Sequence, residues 1–157
     1  MEKMLKRISQ VGVLVRDLDQ AMKGFAEDFG IQQWNVVDFD HFPPVKVNGK
    51  PGKLNIKAAI TTEIDNVEIE LIQPTGEGPF ADHLEKFGPG VHHFAVIMPD
   101  KNEKFGQVME RELAAGRLPW LEAEMIEGEP GEKMHFAYLD RREDMGVIME
   151  VYDEARE

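Results

Sequence analysis

The 157-residue chain contains no cysteine. That removes disulfides, thiolate catalysis and Cys-based zinc sites together. Positive charge is scarce as well: 18 Lys and Arg stand against 30 Asp and Glu, a formal net charge of −12. Nucleic-acid affinity is built on Lys and Arg neutralising phosphates, so no nucleic-acid partner is expected. An anionic membrane surface is disfavoured for the same reason. No apolar run approaches the ~18–20 residues that a membrane span needs. Behind Lys3, Lys6 and Arg7 there is no apolar segment of the signal-peptide kind. A cytoplasmic location is the expectation. The chain also lacks G-x-G-x-x-G, P-loop and G-x-S-x-G patterns, which leaves nucleotide transfer and serine hydrolysis without support.

What is present is a repetition. Gly90-Val-His-His-Phe-Ala-Val-Ile-Met-Pro-Asp100 reads as a strand ending in Asp100, a good N-cap for a following helix. Ser9-Gln-Val-Gly-Val-Leu-Val-Arg-Asp17 says nearly the same thing. Laying Gln10 on His93, 83 residues later, puts Val13 on Val96, Leu14 on Ile97 and Asp17 on Asp100. Val67-Glu-Ile-Glu-Leu-Ile72 likewise matches Val147-Ile-Met-Glu-Val-Tyr152, with Glu70 and Glu150 separated by 80 residues. The chain reads as one βα…β unit written twice. The predicted organisation is a βαβββ module over 5–75, a linker with a short helix over 76–90, and a second βαβββ module over 91–153. The fold class is α+β, with a curved, mixed or largely antiparallel sheet that gives one face to helices and a concave cleft to a ligand.

Local signals fill in the frame. Helices are predicted from about Asp17 to Phe29, Phe80 to Phe87 and Asp100 to Ala115. Strands are predicted at Arg7–Val15, Trp34–Phe39, Leu54–Thr62, Val67–Gln73, Val91–Met98, Leu118–Glu124, Lys133–Leu139 and Gly146–Tyr152. Asn48-Gly49 and Pro51-Gly52 are turn chemistry, and Gly128–Gly131 is read as a polar turn. Lys46, Lys50, Lys53 and Lys57 lie in a stretch without acids. That stretch is a solvated basic hairpin or a docking face for an anionic tail. His41 is placed in a loop and His83 on the solvent side of its helix; the face of His135 is left open. Met98, Met109, Met125, Met134, Met145 and Met149 read as core filler. Alternation puts His93, Ala95 and Ile97 on one face and His92, Phe94 and Val96 on the other.

The strand-borne polar residues at equivalent positions of the repeat are Gln10, Glu70, His93 and Glu150. An imidazole, two carboxylates and an amide oxygen form a hard, oxygen-rich donor set. It suits an octahedral divalent ion (Co, Ni, Mn, Zn or Mg) with open water positions rather than a closed structural zinc. Carboxylates in a cleft are costly unless paired or metal-bound, which a cation would satisfy.

On VGVLVRDLDQAM (11–22), VEIELIQPTGEGPFADHLEKFGPGVHHFAV (67–96) and GVIMEV (146–151), the chain resembles the vicinal oxygen chelate superfamily over essentially its whole length. It is most similar to the methylmalonyl-CoA epimerase branch. The resemblance implies paired βαβββ modules, a homodimer, a bound divalent metal and a small acyl substrate, CoA thioesters among the candidates. It places Gln10, Glu70, His93 and Glu150 at the ligand positions, with Gln10 where the family commonly has His. The implied reaction is metal-assisted removal and return of a proton α to a thioester, through an enolate, with Glu150 as one base. The position of the family's other base falls on Lys53, and no acid lies between His41 and Thr62. A glyoxalase I-type lyase would need only one carboxylate base. A resistance-type binding protein of the same fold would need none.

Overall fold

The computed structural model describes residues 1–40, 42–126 and 133–154. In chain order the elements are β1 (Arg7–Leu14), α1 (Leu18–Phe29), β2 (Asn35–Asp38), β3 (Val45–Val47), β4 (Lys50–Gly52), β5 (Ile56–Thr61) and β6 (Glu68–Pro74). They continue as α2 (Pro79–Phe87), β7 (Gly90–Ile97), α3 (Lys101–Ala114), β8 (Leu121–Ile126), β9 (Lys133–Arg141), α4 (Arg142–Met145) and β10 (Val147–Glu154). With the β3–β4 hairpin set aside, β1-α1-β2-β5-β6 and β7-α3-β8-β9-β10 are the same βαβββ order. The fold is α+β with mixed strand pairing.

The repeat extends to register. β1 pairs with β6 in parallel, Gly12 opposite Glu70. β7 pairs with β10 in parallel, Ala95 opposite Glu150. The two offsets read from the sequence therefore bring equivalent residues opposite one another.

The chain divides into two compact units that are not consecutive in sequence. One comprises Ser9–Phe42 and Lys53–His93. Its strands run in the order β2-β5-β6-β1. α1 covers one face, where Leu18, Ala59 and Leu71 are buried among Val13, Met22, Phe25, Trp34 and Ile69. Strand alternation sends Val13, Ala59 and Leu71 to that side, and helical spacing brings Leu18, Met22 and Phe25 down onto them. Asp17 caps α1, accepting a hydrogen bond from the Gln20 amide at 3.0 Å. Gly30 ends it at φ +73, a left-handed position that glycine takes at little cost. Gln73 on β6 accepts from the Leu18 amide at 2.7 Å, tying the helix start to the sheet.

The other unit comprises Met1–Ile8, Pro43–Gly52 and Phe94–Glu157. Within it β10, β9, β8, β3 and β4 are successive neighbours, and the Phe94–Ala95 stretch of β7 pairs with β10. α3 packs through Phe105 on Val96, Met98, Ala137, Leu139 and Val151. The hairpin turn is Asn48-Gly49, both at positive φ (+50 and +79), as a primed turn requires.

Three expectations are corrected here. Asp100 stands at the N-cap position of α3 but makes no side-chain cap bond, because it follows Pro99 in a left-handed conformation (φ 47, ψ 62). A capping carboxylate needs extended backbone to reach the first-turn amides. Met145 is exposed on the short α4 rather than in the core, whereas Met98 is buried and Met109 and Met149 pack against the same cluster. β8 starts at Leu121 rather than Leu118, which is exposed. His41, the Gly128–Gly131 turn and the side chains of Met125 and Met134 lie outside the described residues.

α3 closes on Gly116 at φ +76, with the Gly116 amide donating to the Leu113 carbonyl at 3.0 Å and the Arg117 amide to the Glu112 carbonyl at 2.9 Å, and charge adds to this cap. The buried Glu112 accepts two hydrogen bonds from Arg117 (2.8 and 2.9 Å) and one from Arg141 (2.8 Å). Arg141 in turn forks onto Asp144. The hydrogen bond from Arg117, with the Arg141 charge, holds the Glu112 carboxyl below its ordinary range against the opposing effect of burial.

Candidate functional site

In the unit built from β2, β5, β6 and β1, the face away from α1 carries the polar residues. Parallel register sets Gln10 beside Glu68 and Gly12 beside Glu70. Antiparallel register sets Ile60 beside Glu70 and Ala58 beside Ile72. Three polar side chains, Gln10, Glu68 and Glu70, therefore share this face with Ala58, Ile60 and Ile72, and apolar neighbours strengthen the hydrogen bond between Gln10 and Glu68.

His93 is fully buried, and its ring lies on the backbone of Gly12. A Cβ at Gly12 would come within 2.0 Å of His93 Cε1, 2.3 Å of Nδ1 and 2.6 Å of Nε2. Any side chain at position 12 would occupy the space of the imidazole. Gly12 escaped notice in the sequence, although a glycine inside a strand is itself a sign of close approach by another group.

The contacts form a chain. Gln10 Nε2 donates to Glu68 Oε2 at 3.1 Å, and Gln10 Oε1 faces His93 Nε2 at 3.3 Å. His93 Nδ1 meets His92 Nδ1 at 3.0 Å. Alternation alone would part the two histidines; both are buried, and their rings turn toward one another so that each imidazole gains a polar partner. His83, expected on the solvent side of α2, instead packs edge-on against His92 with ring centroids 4.7 Å apart. Phe80, His83 and Phe87 fall on one stripe of α2 at helical spacing, and Phe80 and Phe87 also meet these histidines.

Gln10, Glu70 and His93 thus belong to one face of one unit, with Glu68 as an unpredicted fourth member. Glu150 belongs to the other unit, half-buried, opposite Ala95. Lys53 is exposed in the connection between β4 and β5. The basic stretch divides: Lys46 and Lys50 lie on the β3–β4 hairpin, where Lys46 faces Glu122, and Lys57 faces Gln73 and Asp38 on the other unit's sheet. His135 is half-buried, its ring on Phe105 and Nε2 3.5 Å from Glu122.

The donor chemistry fits a hard divalent ion. The 3.3 Å between His93 Nε2 and Gln10 Oε1 is close to the ~3.0 Å separating neighbouring donors around an octahedral ion with bonds of ~2.1 Å. Among the described residues no three His, Cys, Asp or Glu side chains converge closely enough to hold a metal by themselves. Within this unit the set has two of those types, Glu70 and His93, with an amide oxygen beside them.

The chain matches the model of the glyoxalase/bleomycin resistance protein/dioxygenase superfamily over residues 9–138. Similar solved structures include a hypothetical protein of Bacillus halodurans (19% identity, TM-score 0.60, covering 96% of each chain). Another is a methylmalonyl-CoA epimerase in complex with methylmalonyl-CoA and ammonium (20% identity, TM-score 0.59, 97% of this chain and 96% of that one). A third is methylmalonyl-CoA epimerase from Mycobacterium tuberculosis (21% identity, TM-score 0.57, 99% and 92%). Comparison with curated proteins finds no sequence match.

Proposed function

The chain belongs to the glyoxalase/bleomycin resistance protein/dioxygenase superfamily, and from that premise we propose that it is a metal-dependent isomerase or lyase acting on a small acyl substrate, epimerase-like in its chemistry. One observation carries the reading: a fully buried imidazole seated on a side-chain-free strand position, its Nε2 aimed at an amide oxygen. Gln10, Glu70 and His93 are the proposed ligands in one unit, and Glu150 enters as the repeat equivalent of Glu70.

Gln10, Glu70 and His93 would hold a divalent ion, which would supply polarisation of a substrate carbonyl and so acidify the neighbouring carbon. The residues do the rest. Glu150 takes the α-proton; returning it to the same face completes a one-base transfer, whereas inversion requires a donor on the opposite face. The apolar residues around the polar face, Ile60 and Ile72 among them, exclude water and so strengthen the electrostatic contacts. The similarity to an epimerase bound to methylmalonyl-CoA supports an acyl-CoA thioester as the first substrate class to test.

The exposure of Lys53, together with the absence of acids from residues 42–61, supports chemistry that needs one carboxylate base, of the glyoxalase I type. Two assays part the readings. About one divalent metal per chain by elemental analysis, lost in His93→Ala, is the expected result. Solvent deuterium should then enter the α-carbon of acyl-CoA thioesters and cease to do so in Glu150→Gln. Product from a glutathione hemithioacetal without thioester exchange would select the lyase. Absence of metal after reconstitution with Co or Ni would sink both, and leave a binding protein.

A further inference from the structure

The geometry points to Glu68 as a positioning residue that fixes which end of the Gln10 amide faces His93; this rests on the metal-centre reading above. An amide is an ambiguous ligand. Its oxygen binds a hard cation, its NH2 does not, and the two differ by a half-turn about one bond. Something must choose between them. An ionised carboxylate only accepts hydrogen bonds, so Glu68 Oε2, 3.1 Å from Gln10 Nε2, can be satisfied only by the NH2 group. Once that end is held, Oε1 is the atom turned to His93 Nε2 at 3.3 Å. The strand pairing supports the assignment: Gln10 and Glu68 are register partners on adjacent parallel strands, both partly buried, so the carboxylate reaches the amide without spanning a gap.

The sister repeat supplies a control inside the same chain. The residue equivalent to Gln10 there is His93, whose ring nitrogen needs no such choice. The residue equivalent to Glu68 is Ile148, a buried hydrocarbon with 1% exposure. A carboxylate accompanies the amide and is missing where the ligand candidate is an imidazole.

The test is a double-mutant cycle read by calorimetric titration with Mn2+. It compares the intact chain, Glu68→Gln, Gln10→His and the double variant, each first shown to be folded by its melting transition. Glu68→Gln is isosteric, but it can donate as well as accept, so it releases the Gln10 amide to flip. Expected is a loss of Mn2+ affinity of tenfold or more in the Gln10 background and of less than threefold in the Gln10→His background. Equal losses in both would overturn the inference, since they would mean that Glu68 acts through its charge or through packing. No loss in the Gln10 background would overturn it as well. An intact chain that takes up neither Mn2+, Co2+ nor Zn2+ would instead overturn the metal-centre reading, and the role of Glu68 with it.

Discussion

The two parallel strand pairs of this protein, β1 with β6 and β7 with β10, share a register and differ in what they carry. Each sets a small residue opposite a glutamate: Gly12 opposite Glu70, and Ala95 opposite Glu150. The backbone plan is the same. The first pair has dispensed with a side chain at Gly12, and an imidazole fills the space. It also has a carboxylate at Glu68 where the second pair has the buried Ile148. A duplicated frame can thus place its donors by symmetry while the residues beside them decide how each donor is held.

The sharpest way to break the comparison is to exchange the two small residues. In Gly12→Ala the new methyl meets His93 Cε1 at 2.0 Å, a collision that the fully buried ring cannot relieve without leaving its place. We expect divalent-metal affinity to fall by about a hundredfold or more, with about 2–3 kcal/mol of lost stability from overpacking. Ala95→Gly, the reverse change in the sister pair, should cost about 1–2 kcal/mol through backbone freedom and the loss of a buried methyl, with no collision to relieve. Titration calorimetry and urea unfolding read the two effects separately. Equal behaviour of the two variants would remove any special standing of Gly12.

The helices that follow the first strand of each repeat both close on a left-handed glycine, but only α3 adds an ion-pair network there, and this gives the next test. α1 closes on Gly30 and α3 on Gly116, and the end of α3 also carries Glu112 between Arg117 and Arg141. Glu112→Gln leaves the two guanidinium groups without their shared carboxylate and should cost about 3 kcal/mol at neutral pH. The sign with pH follows from the lowered pKa of Glu112. Its contribution is fully present above the ordinary carboxylate value of about 4.3. It is lost as pH falls through the lower folded value. The gap between the intact chain and Glu112→Gln in urea unfolding should therefore be wide at pH 7 and close in acid below the ordinary range. A gap that does not change with pH would mean that geometry, not charge, holds the helix end.

Much of this was legible in the residues. The repeat offsets of Gln10 with His93 and Glu70 with Glu150 marked which strand positions are equivalent, because alternation and internal repetition can be read without tertiary context; which strands pair could not be. Asn48-Gly49 announced its turn for the same local reason. What stayed hidden depended on groups far apart in sequence meeting in space. Gly12 is an ordinary strand glycine until His93 arrives over it. Glu68 shares a face with Glu70 by strand alternation, but its place beside Gln10 appears only with the parallel pairing. His83 looks solvent-facing until α2 is laid against His92. Asp100 shows the opposite failure: a strong local signal was overridden by backbone conformation, and the capping residue type is present without the cap.

That pair of aspartates gives the smallest effect and the cleanest comparison, since Asp17 and Asp100 are equivalent in the repeat. Asp17 accepts from the Gln20 amide in extended backbone, so Asp17→Ala should cost about 1 kcal/mol. Asp100 makes no such bond and sits at φ 47. Replacing it by glycine removes the strain of a left-handed side chain while adding freedom to the unfolded chain, and these oppose one another. Asp100→Gly should therefore leave stability within about 0.5 kcal/mol of the intact chain in urea unfolding. If it costs as much as Asp17→Ala, then Asp100 caps α3 in solution, and the two helices begin in the same way after all.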